Sequence, residues 1–448
     1  MRPDPARLFP GIDFSSRNSV LAAVSGGSDS LGLLVLLKDF LDRHHPGIRL
    51  TAVTVDHRLR PESGEEARGV GEICSRLGVE HGIRTWRDEK PSSALSAAAR
   101  DARYNLLAEA AHDAGADIVF TGHTMDDQAE TVGMRSARAK AGSGRGAAGM
   151  AVETLFDDRV WIVRPLLSTR RVELRELLVE RGISWFDDPS NRDRKYERVR
   201  MREELEHASV EDIAGEAAAA GERRRDLGER VALLVDKYAR RISPGLFRLE
   251  RGFAAGDNRE ATRYALRILL AVTGGTEYLP DEARAAGLLD AMVGLPMRAT
   301  LSRAVIDGRK DAIYLRREAR GLPAREIGPA PMLWDGRYRI SGSGTGADLH
   351  VAAIGNETVP DMEQMPPGVP ENLARTAFSV QPGLWRGGVF LGPATAETAA
   401  RHGVSAAATT GPWARFLPGF DLAAVQAARR LVGAAELPCS PLRKHIAV

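Results

Sequence analysis

The chain has 448 residues, of which 43% are hydrophobic and 27% charged, close to the average for soluble globular proteins. This composition excludes a disordered chain, a collagen and a disulfide-held miniature scaffold, and the length predicts about three domains of about 150 residues each. The 62 lysines and arginines nearly balance the 60 aspartates and glutamates, so with a net charge of +2 any nucleic acid would have to bind a local basic patch.

The cysteines and the N-terminal segment indicate a cytoplasmic protein. Cys74 falls on the apolar face of a predicted helix and Cys439 is isolated, so neither fits a disulfide framework or a metal site. The apolar run 31–37 is far shorter than the about 20 residues of a membrane-spanning helix, and the first 16 residues lack a signal-peptide pattern. We therefore expect cytoplasmic localisation and no membrane partner.

The first 200 residues alternate short apolar runs with amphipathic stretches. Runs that end at Val24, Val55, Phe120 and Val163, with a weaker run at 81–86, predict five strands. The stretches between and after them predict five helices: Ser30 to Arg43, Glu65 to Leu77, Ala97 to Ala114, Asp127 to Arg138 and Thr169 to Arg181. This alternation predicts an α/β fold with a five-stranded parallel sheet, covered on both faces, and a ligand site at the carboxyl ends of the strands.

The pattern changes after the predicted sheet. The stretch from Glu203 to Leu270 is rich in alanine and arginine and predicts helices alone, and short strand-like pieces follow it. Three prolines at 321–331 predict a linker. We therefore predict a catalytic domain at 1–205, a mostly helical domain at 206–320 and a small mixed α/β domain at 321–448.

The strongest local signal is the loop between the first predicted strand and helix, Ser25-Gly26-Gly27-Ser28-Asp29-Ser30. Its glycines let backbone N–H groups turn toward an anion, its serines add donors, and the helix that follows adds its dipole. Asp29 would repel a phosphate unless Mg²⁺ is shared between them. The absence of a following Gly-Lys pair and of G-x-G-x-x-G excludes a Walker loop and a dinucleotide-binding loop. The alternative is an ordinary turn.

A second polar block, Thr121 to Thr131, follows the fourth predicted strand and begins with Gly122 and His123. Asp127 and Glu130 lie three residues apart and share a helix face, so we predict them, together with Asp29, as Mg²⁺ ligands. The alternative is that they only complement the helix dipole. His123 is placed to donate a hydrogen bond to a phosphate oxygen.

Basic residues cluster where RNA could bind. Between Arg192 and Arg202 there are six arginines or lysines and two acids, and Arg223 to Arg225 form a second group. Such clusters neutralise phosphates. The alternative is a solvated helix face with ion pairs.

The serine–glycine loop resembles the S-G-G-x-D-S signature of the PP-loop ATP pyrophosphatases, which transfer AMP to a substrate oxygen and release pyrophosphate. In chain order, four later blocks complete a resemblance to the tRNA(Ile)-lysidine synthase family: Thr121 to Thr131, Gly142 to Met150, Arg164 to Leu167, and Trp185 to Asn191 followed by Tyr196 to Arg202. The resemblance covers about residues 18 to 203. Val199 departs from the asparagine that is frequent in the family, and the last ~100 residues do not align.

The resemblance implies a two-step reaction in which ATP adenylates the C2 carbonyl oxygen of cytidine 34 in a CAU anticodon, and L-lysine then displaces AMP. The implied ligands are ATP, Mg²⁺, L-lysine and tRNA(Ile), and a homodimer is left open. The catalytic residues would be Asp29, His123, Asp127 and Glu130. The ATP-binding residues would be Ser25, Gly26, Gly27, Ser28, Asp29, Ser30, Asp56, Arg103, Gly122 and His123. The tRNA or phosphate contacts would be Arg145, Arg164, Arg198 and Arg202, with Asp187 as the candidate for lysine binding.

Two classes of alternative can be weighed from the residues. Sulfur-transferring PP-loop enzymes need reactive cysteines, often C-x-x-C, and amide-forming relatives usually carry a glutaminase domain with a cysteine nucleophile. Neither feature is evident in the sequence. A nucleotide- or RNA-binding protein without activity is disfavoured because Asp29, His123, Asp127 and Glu130 are all present. Pyrophosphate exchange that depends on RNA would separate an enzyme from a binder.

Overall fold

A computed structural model of the chain describes residues 3–138, 144–187, 193–195, 197–205, 207–294, 296–343, 348–361, 365 and 369–442. The chain forms two compact units. The first comprises Met1–Arg224, Phe416–Phe420 and Pro438–Val448, and the second comprises Arg225–Arg415 and Asp421–Leu437. Among the described residues, no helix is both long enough and apolar enough to cross a membrane.

The strands in chain order are β1 Ser19–Ala23, β2 Arg49–Asp56, β3 Glu80–Thr85, β4 Ile118–Thr121, β5 Glu153–Phe156, β6 Val160–Val163, β7 Ala239–Ser243, β8 Leu246–Glu250, β9 Met297–Leu301, β10 Ala304–Gly308, β11 Ala312–Arg317, β12 Arg325–Glu326, β13 Met332–Trp334, β14 Tyr338–Gly342, β15 Leu349–Ala353, β16 Pro382–Arg386, β17 Val389–Pro393, β18 Val404–Ala408 and β19 Phe416–Pro418. The helices are α1 Pro5–Leu8, α2 Ser28–His44, α3 Ser63–Arg76, α4 Leu95–Asp113, α5 Met125–Arg138, α6 Arg171–Glu180, α7 Glu197–Glu204, α8 His207–Tyr238, α9 Arg259–Gly274, α10 Glu282–Ala291, α11 Glu371–Ser379, α12 Ala396–Arg401 and α13 Leu422–Val432.

The first unit is built on a seven-stranded sheet in the order β19-β5-β6-β4-β1-β2-β3. The strands β6, β4, β1, β2 and β3 run parallel and are the five that the sequence predicts, so the predicted parallel sheet is confirmed. Two antiparallel strands, β5 and β19, extend one edge and were not predicted. Every residue of β1 is buried, as expected for a strand covered on both faces.

The helices of the first unit match the sequence pattern closely, because α2 to α6 each lie within two residues of a predicted helix. Alternate residues of β1, including Leu21, pack with Val119 of β4 and with Tyr104 and Leu107 of α4 in one buried cluster. Since β1 lies between β4 and β2 while the chain leaves it toward β2, the carboxyl ends of β1 and β4 flank the point where the strand order reverses. In open α/β sheets that point is the ligand crevice.

The second unit corrects the prediction of helices alone from Glu203 to Leu270. After α8 ends at Tyr238, the chain forms the antiparallel hairpin β7–β8, which continues into the sheet β7-β8-β11-β10-β9. The hairpin turns at Pro244-Gly245, where Gly245 has a φ of +75°. A Pro-Gly turn between two short apolar runs is typical of a hairpin. The alanine and two arginines at the start of β7 nevertheless resemble the helix that precedes them, so the sequence predicted a longer helix.

The later part of the second unit holds two smaller sheets, β12-β15-β16-β17 and β13-β14-β18. Leu246 and Tyr314 of the five-stranded sheet share a buried cluster with Leu373 and Ala377 of α11. The middle and C-terminal segments therefore have a common core within this unit. The three-domain division remains a proposal from the sequence.

Candidate active site

The serine–glycine loop joins β1 to α2 in the form that suits an anion. Gly27 is the N-cap of α2 and has no side chain to occupy the first-turn N–H groups. The hydroxyl of Ser30 donates to the Gly27 carbonyl at 3.0 Å and accepts from the Ser25 N–H at 3.1 Å, which folds the loop onto the helix. Gly26 has a φ of +88°, and a Cβ there would lie 2.9 Å from Phe186 Cδ2. The glycine is thus required both by backbone conformation and by space.

Gly122 lets the end of β4 approach the start of α2. A Cβ on Gly122 would lie 2.7 Å from the Asp29 carbonyl oxygen and 2.9 Å from Ser30 Cα. Backbone atoms at these distances leave no room for any side chain. The close approach places the His123–Asp127 segment beside the serine–glycine loop.

A cavity of about 450 Å³ opens at this edge of the sheet, within the size range of small-molecule sites. It is lined by Ser25, Gly27, Ser28, Asp29, Ser30, Arg103, Gly122, His123, Asp127, Arg171, Arg175, Phe186, Asp187, Arg198 and Arg202. Most of the residues singled out in the sequence therefore meet here, although they come from three separate motifs and from Arg103.

The centre of the site is an ionic cluster, here called the Arg171 cluster: Asp29, Asp127, Glu130, Arg171, Arg198 and Arg202. Arg171 Nε donates to Asp29 Oδ2 at 2.8 Å, its Nη2 donates to Asp127 Oδ1 at 3.1 Å, and its Nη1 lies 3.6 Å from Glu130 Oε1. One guanidinium thus contacts all three acids that the sequence predicts as metal ligands.

Glu130 forms the buried floor of the cluster and does not line the cavity itself. Its side chain is 1% exposed and accepts from Arg198 Nε at 2.8 Å and from Arg202 Nε at 2.6 Å. Both arginines are more exposed than the acid they hold. The arginines therefore present their remaining donors to the cavity.

Two of the acids that line the cavity, Asp29 and Asp127, have pKa values shifted in opposite directions. Burial raises the pKa of Asp29, as does the charge of Asp127, and the opposing contact with Arg171 only partly offsets them. Burial also acts to raise the pKa of Asp127, but Arg171, Arg198 and the backbone N–H of Thr124 lower it overall. The pKa of Arg171 is raised: burial acts to lower it, and Asp127 and Asp29 outweigh that effect. The carboxylate form of Asp127 is thus favoured in the cavity, whereas the carboxylate form of Asp29 beside it is disfavoured.

The predicted three-carboxylate metal site is not assembled. Within the ranges that the structure describes, no three His, Cys, Asp or Glu side chains are arranged to hold a metal ion. The reason is physical: Arg171 stands between Asp29 and Asp127, and Glu130 is enclosed by Arg198 and Arg202. The donor chemistry at Asp29 still fits Mg²⁺, because that ion takes one or two carboxylates together with the phosphates of its nucleotide.

His123 faces the cavity as a neutral imidazole. Burial and the charge of Arg164 lower its pKa well below the ordinary value. Its Nδ1 lies 3.0 Å from the hydroxyl of Thr121. When that hydroxyl donates to Nδ1, the Nε2–H is left to donate to a ligand.

Two predicted contacts, Asp56 and Arg164, do not line the cavity, and a third cannot be placed. Asp56 accepts from the Arg58 N–H at 2.9 Å and the Ser63 hydroxyl at 2.7 Å, so it organises the β2–α3 connection. Arg164, predicted as a tRNA or phosphate contact, is 4% exposed and donates to the Ala151 carbonyl and the Thr154 hydroxyl. The side chain of Arg145 lies outside the described residues, as do 139–143 and 188–192 of the neighbouring motifs.

Two arginines of α6 were missed by the sequence reasoning. Besides Arg171, Arg175 lines the cavity, with Nε 3.4 Å from the Ser28 hydroxyl and Nη2 3.9 Å from Asp187 Oδ1. Their position in the chain could have indicated them. The carboxyl end of β6 faces the same crevice, and α6 begins shortly after that strand ends.

A second cavity of about 370 Å³ shares Arg171, Arg175 and Arg202 with the first. Its other lining residues are Asp126, Glu130, Arg170, Val172, Leu205 and Val210. The second cavity therefore combines carboxylates, guanidinium groups and apolar side chains.

The chain is similar to known proteins over part or all of its length. A family model described as a PP-loop domain matches residues 7–209. A tRNA(Ile)-lysidine synthase from Mesorhizobium japonicum is 44% identical over 452 residues, which cover 98% of this chain and 98% of that protein. A second, from Rhizobium meliloti, is 37% identical over 454 residues and covers 98% and 97%. A solved structure, the U34-tRNA thiolase from Methanococcus maripaludis, is 16% identical over 49% of this chain and 77% of that chain, with a TM-score of 0.41.

Proposed function

Because the chain belongs to the tRNA(Ile)-lysidine synthase family, we propose that it is the carbon–nitrogen ligase that joins L-lysine to C2 of cytidine 34 in the CAU anticodon of tRNA(Ile). ATP is cleaved to AMP and pyrophosphate in the cytoplasm. The modified anticodon then recognises the codon AUA instead of AUG. The observation that carries the proposal is the cavity in which the anion-binding loop, a neutral histidine and a ring of arginines face the same space.

The first step needs a site that holds a triphosphate and stabilises charge at the α-phosphate. The pyrophosphate end would lie at the start of α2, where the loop N–H groups and the serine hydroxyls act as donors. His123 donates to the α-phosphate, and Arg103 and Arg175 add positive charge. The C2 carbonyl oxygen of cytidine forms a bond to the α-phosphorus. At the same time the bond from the α-phosphorus to the oxygen of the leaving pyrophosphate breaks.

Mg²⁺ would enter with ATP, and Asp29 is the side chain that would hold it. When bound, the ion neutralises charge on the leaving pyrophosphate. Asp127 is the neighbouring carboxylate, since Arg171 contacts both acids, and its charge would favour a cation there.

In the second step the ε-amine of lysine bonds to C2 and the bond from C2 to the adenylate oxygen breaks, releasing AMP. The ammonium must first lose a proton. Among Asp127, Glu130 and Asp187, the first has a lowered pKa and the second is enclosed by arginines. Asp187 lines the cavity with its side chain 57% exposed, so we assign lysine binding or deprotonation to it.

The second cavity is a competing position for lysine. Asp126 could meet the ammonium, Arg170 the α-carboxylate, and Val172 and Leu205 the aliphatic stem. Asp187→Asn should raise the KM for lysine and leave that for ATP unchanged. If Asp126→Asn has that effect and Asp187→Asn does not, lysine occupies the second cavity.

The tRNA must offer an unstacked base, since the target atom is inaccessible in a stacked anticodon. We propose that Arg198 and Arg202, whose side chains are 42% and 38% exposed, guide the anticodon into the cavity. The middle segment, in which α8 carries Arg223 to Arg225, and the C-terminal segment would contact the rest of the tRNA. Arg164 is too buried to take part directly.

The decisive experiment is transfer of radiolabelled lysine to an unmodified tRNA(Ile) transcript with a CAU anticodon. We expect label in that tRNA and none in elongator tRNA(Met), which has the same anticodon. ATP–pyrophosphate exchange in the presence of RNA separates a ligase from a binding protein. Pyrophosphate exchange without any lysine transfer would point to another adenylating enzyme.

A further inference from the structure

Arg171 occupies the point where the three acids of its cluster converge. Its contacts to Asp29 and Asp127 are both direct hydrogen bonds, at 2.8 and 3.1 Å. Among the ion pairs of the described residues, Arg171 is the cation that pairs with Asp29. Arg198 and Arg202 both pair with Glu130, and Arg198 Nη2 also lies 3.4 Å from Asp127 Oδ1. Removing Arg171 would therefore leave Asp29 without a counter-charge and beside Asp127.

Asp29 and Asp127 both hydrogen-bond to one guanidinium, so the two carboxylates are neighbours on either side of it. Like charges at such separations repel each other strongly in a partly buried site. Arg171 is itself only 15% exposed, so little water shares the neutralisation. The backbone N–H of Arg171 donates to Asp126 at 2.8 Å, which fixes the start of α6 independently of the guanidinium. The side chain can therefore change partners without moving the helix.

We propose that Arg171 is a positioning residue that stands in for the divalent cation: its guanidinium holds Asp29 and Asp127 together in the nucleotide-free enzyme and leaves Asp29 when Mg²⁺–ATP binds. This inference rests on the proposed function, since it assumes that the ligand of Asp29 is the metal of a nucleotide. After the exchange Arg171 keeps Asp127 and Glu130 as partners.

The arrangement has a consequence for binding order. With Arg171 in place, the free enzyme offers a divalent cation no uncompensated pair of carboxylates. The metal then binds well only with the phosphates, which supply further ligands and draw Asp29 away from the guanidinium. Metal without nucleotide is thereby kept out of the cavity.

The test measures Mn²⁺ binding to the nucleotide-free, full-length enzyme by electron paramagnetic resonance. Arg171→Gln should bind Mn²⁺ at least about tenfold more tightly than wild type, because Asp29 loses its guanidinium partner and Asp127 keeps Arg198 but loses Arg171. Arg171→Lys should stay near wild type. Arg202→Gln is the matched control, since it removes a guanidinium from Glu130 alone, and it should gain nothing. Adding Asp29→Asn to Arg171→Gln should abolish the gain. Equal Mn²⁺ affinity in folded Arg171→Gln and wild type would overturn the proposal.

A measurement on the wild type covers the case in which the variants do not fold. In a crystal structure with Mg²⁺ and α,β-methylene ATP, the Arg171 Nε to Asp29 Oδ2 distance should exceed about 4 Å, too long for a hydrogen bond. Metal on Asp29 with that hydrogen bond intact would refute the exchange. If Arg171→Gln binds Mn²⁺ more tightly as expected but the wild-type enzyme transfers no lysine, the proposed function is wrong and the role of Arg171 still holds.

Discussion

The two units each contain an aspartate surrounded by arginines, and the two clusters have opposite characters. In the Arg171 cluster, Asp29 and Asp127 line a cavity, and Arg198, which pairs with Asp127, lines it as well and is partly exposed. In the second unit, Asp335 is fully buried, with Arg317 Nη2 at 2.9 Å and Arg337 Nε at 2.7 Å, and Arg303 is a third partner.

The remaining donors of the second cluster go to backbone carbonyls. Arg337 donates to Val380 at 2.6 Å, Arg317 to Arg320 at 3.1 Å and Arg303 to Gly275 at 3.2 Å. A Cβ on Gly275 would lie 1.9 Å from the Asp335 carbonyl oxygen, so the β13–β14 turn packs directly on the end of α9. The same residue types thus line a cavity in the first unit and hold turns together in the second.

The largest effect should come from breaking the buried cluster. Asp335→Asn leaves three guanidinium groups without their shared anion and should reduce the free energy of unfolding by about 3–5 kcal/mol. Urea denaturation measures it. Glu371→Gln, which removes an exposed helical ion pair with Arg375, is the control and should cost less than about 1 kcal/mol. Similar losses in both variants would remove the distinction between the two clusters.

Asp29→Asn should have the opposite profile. We expect tRNA-dependent ATP–pyrophosphate exchange to fall about 10²- to 10³-fold, because charge stabilisation at the phosphates is lost. Stability should change little, since Arg171 keeps Asp127 and Glu130 as partners. Exchange assays beside thermal melting would show it. A variant that loses stability and keeps its exchange rate would contradict the assignment.

Gly122→Ala tests the approach of β4 to α2. A Cβ 2.7 Å from a backbone oxygen forces the two elements apart, and a misplacement of about 1 Å costs on the order of 10²-fold in rate. Gly82→Ala, in β3 with open space around its Cβ, is the matched control and should retain the wild-type exchange rate. Equal rates in both variants would mean that this contact does not position the site.

The smallest effect concerns His123 and pH. Its pKa in the folded protein lies well below the ordinary 6.5, so the unfolded chain takes up the proton first as the pH falls. The folded state therefore loses stability as the pH falls through and below 6.5. His123→Gln should therefore lose less unfolding free energy than wild type between about pH 7.5 and about pH 5.5. His57 and His81, whose pKa values burial also lowers, retain their own share. His112→Gln, at an exposed position of α4, should behave as wild type.

The sequence predicted the parts of the first unit that depend on local patterns. Apolar runs and loop glycines placed five strands and five helices, and strand ends brought Asp29, His123 and Asp127 to one crevice. It did not predict β19, because a strand that pairs with β5 from more than 250 residues away leaves no local trace.

The arginines were the hardest residues to place. Arg164 and Arg171 both follow β6, yet the first is buried under the site and the second stands at its centre. Composition and spacing do not distinguish them, since the difference lies in which neighbours fold over each side chain. For the same reason, the prediction of Asp29, Asp127 and Glu130 as metal ligands did not include Arg171, whose guanidinium contacts all three.

The most direct test of the central claim, that the serine–glycine loop holds the pyrophosphate of ATP during adenylation of RNA, is the nucleotide product. With α-labelled ATP, tRNA(Ile) and lysine, we predict one AMP released for each lysine incorporated and no product without the tRNA. Formation of ADP, or AMP release that is unaffected by Asp29→Asn, would contradict the account.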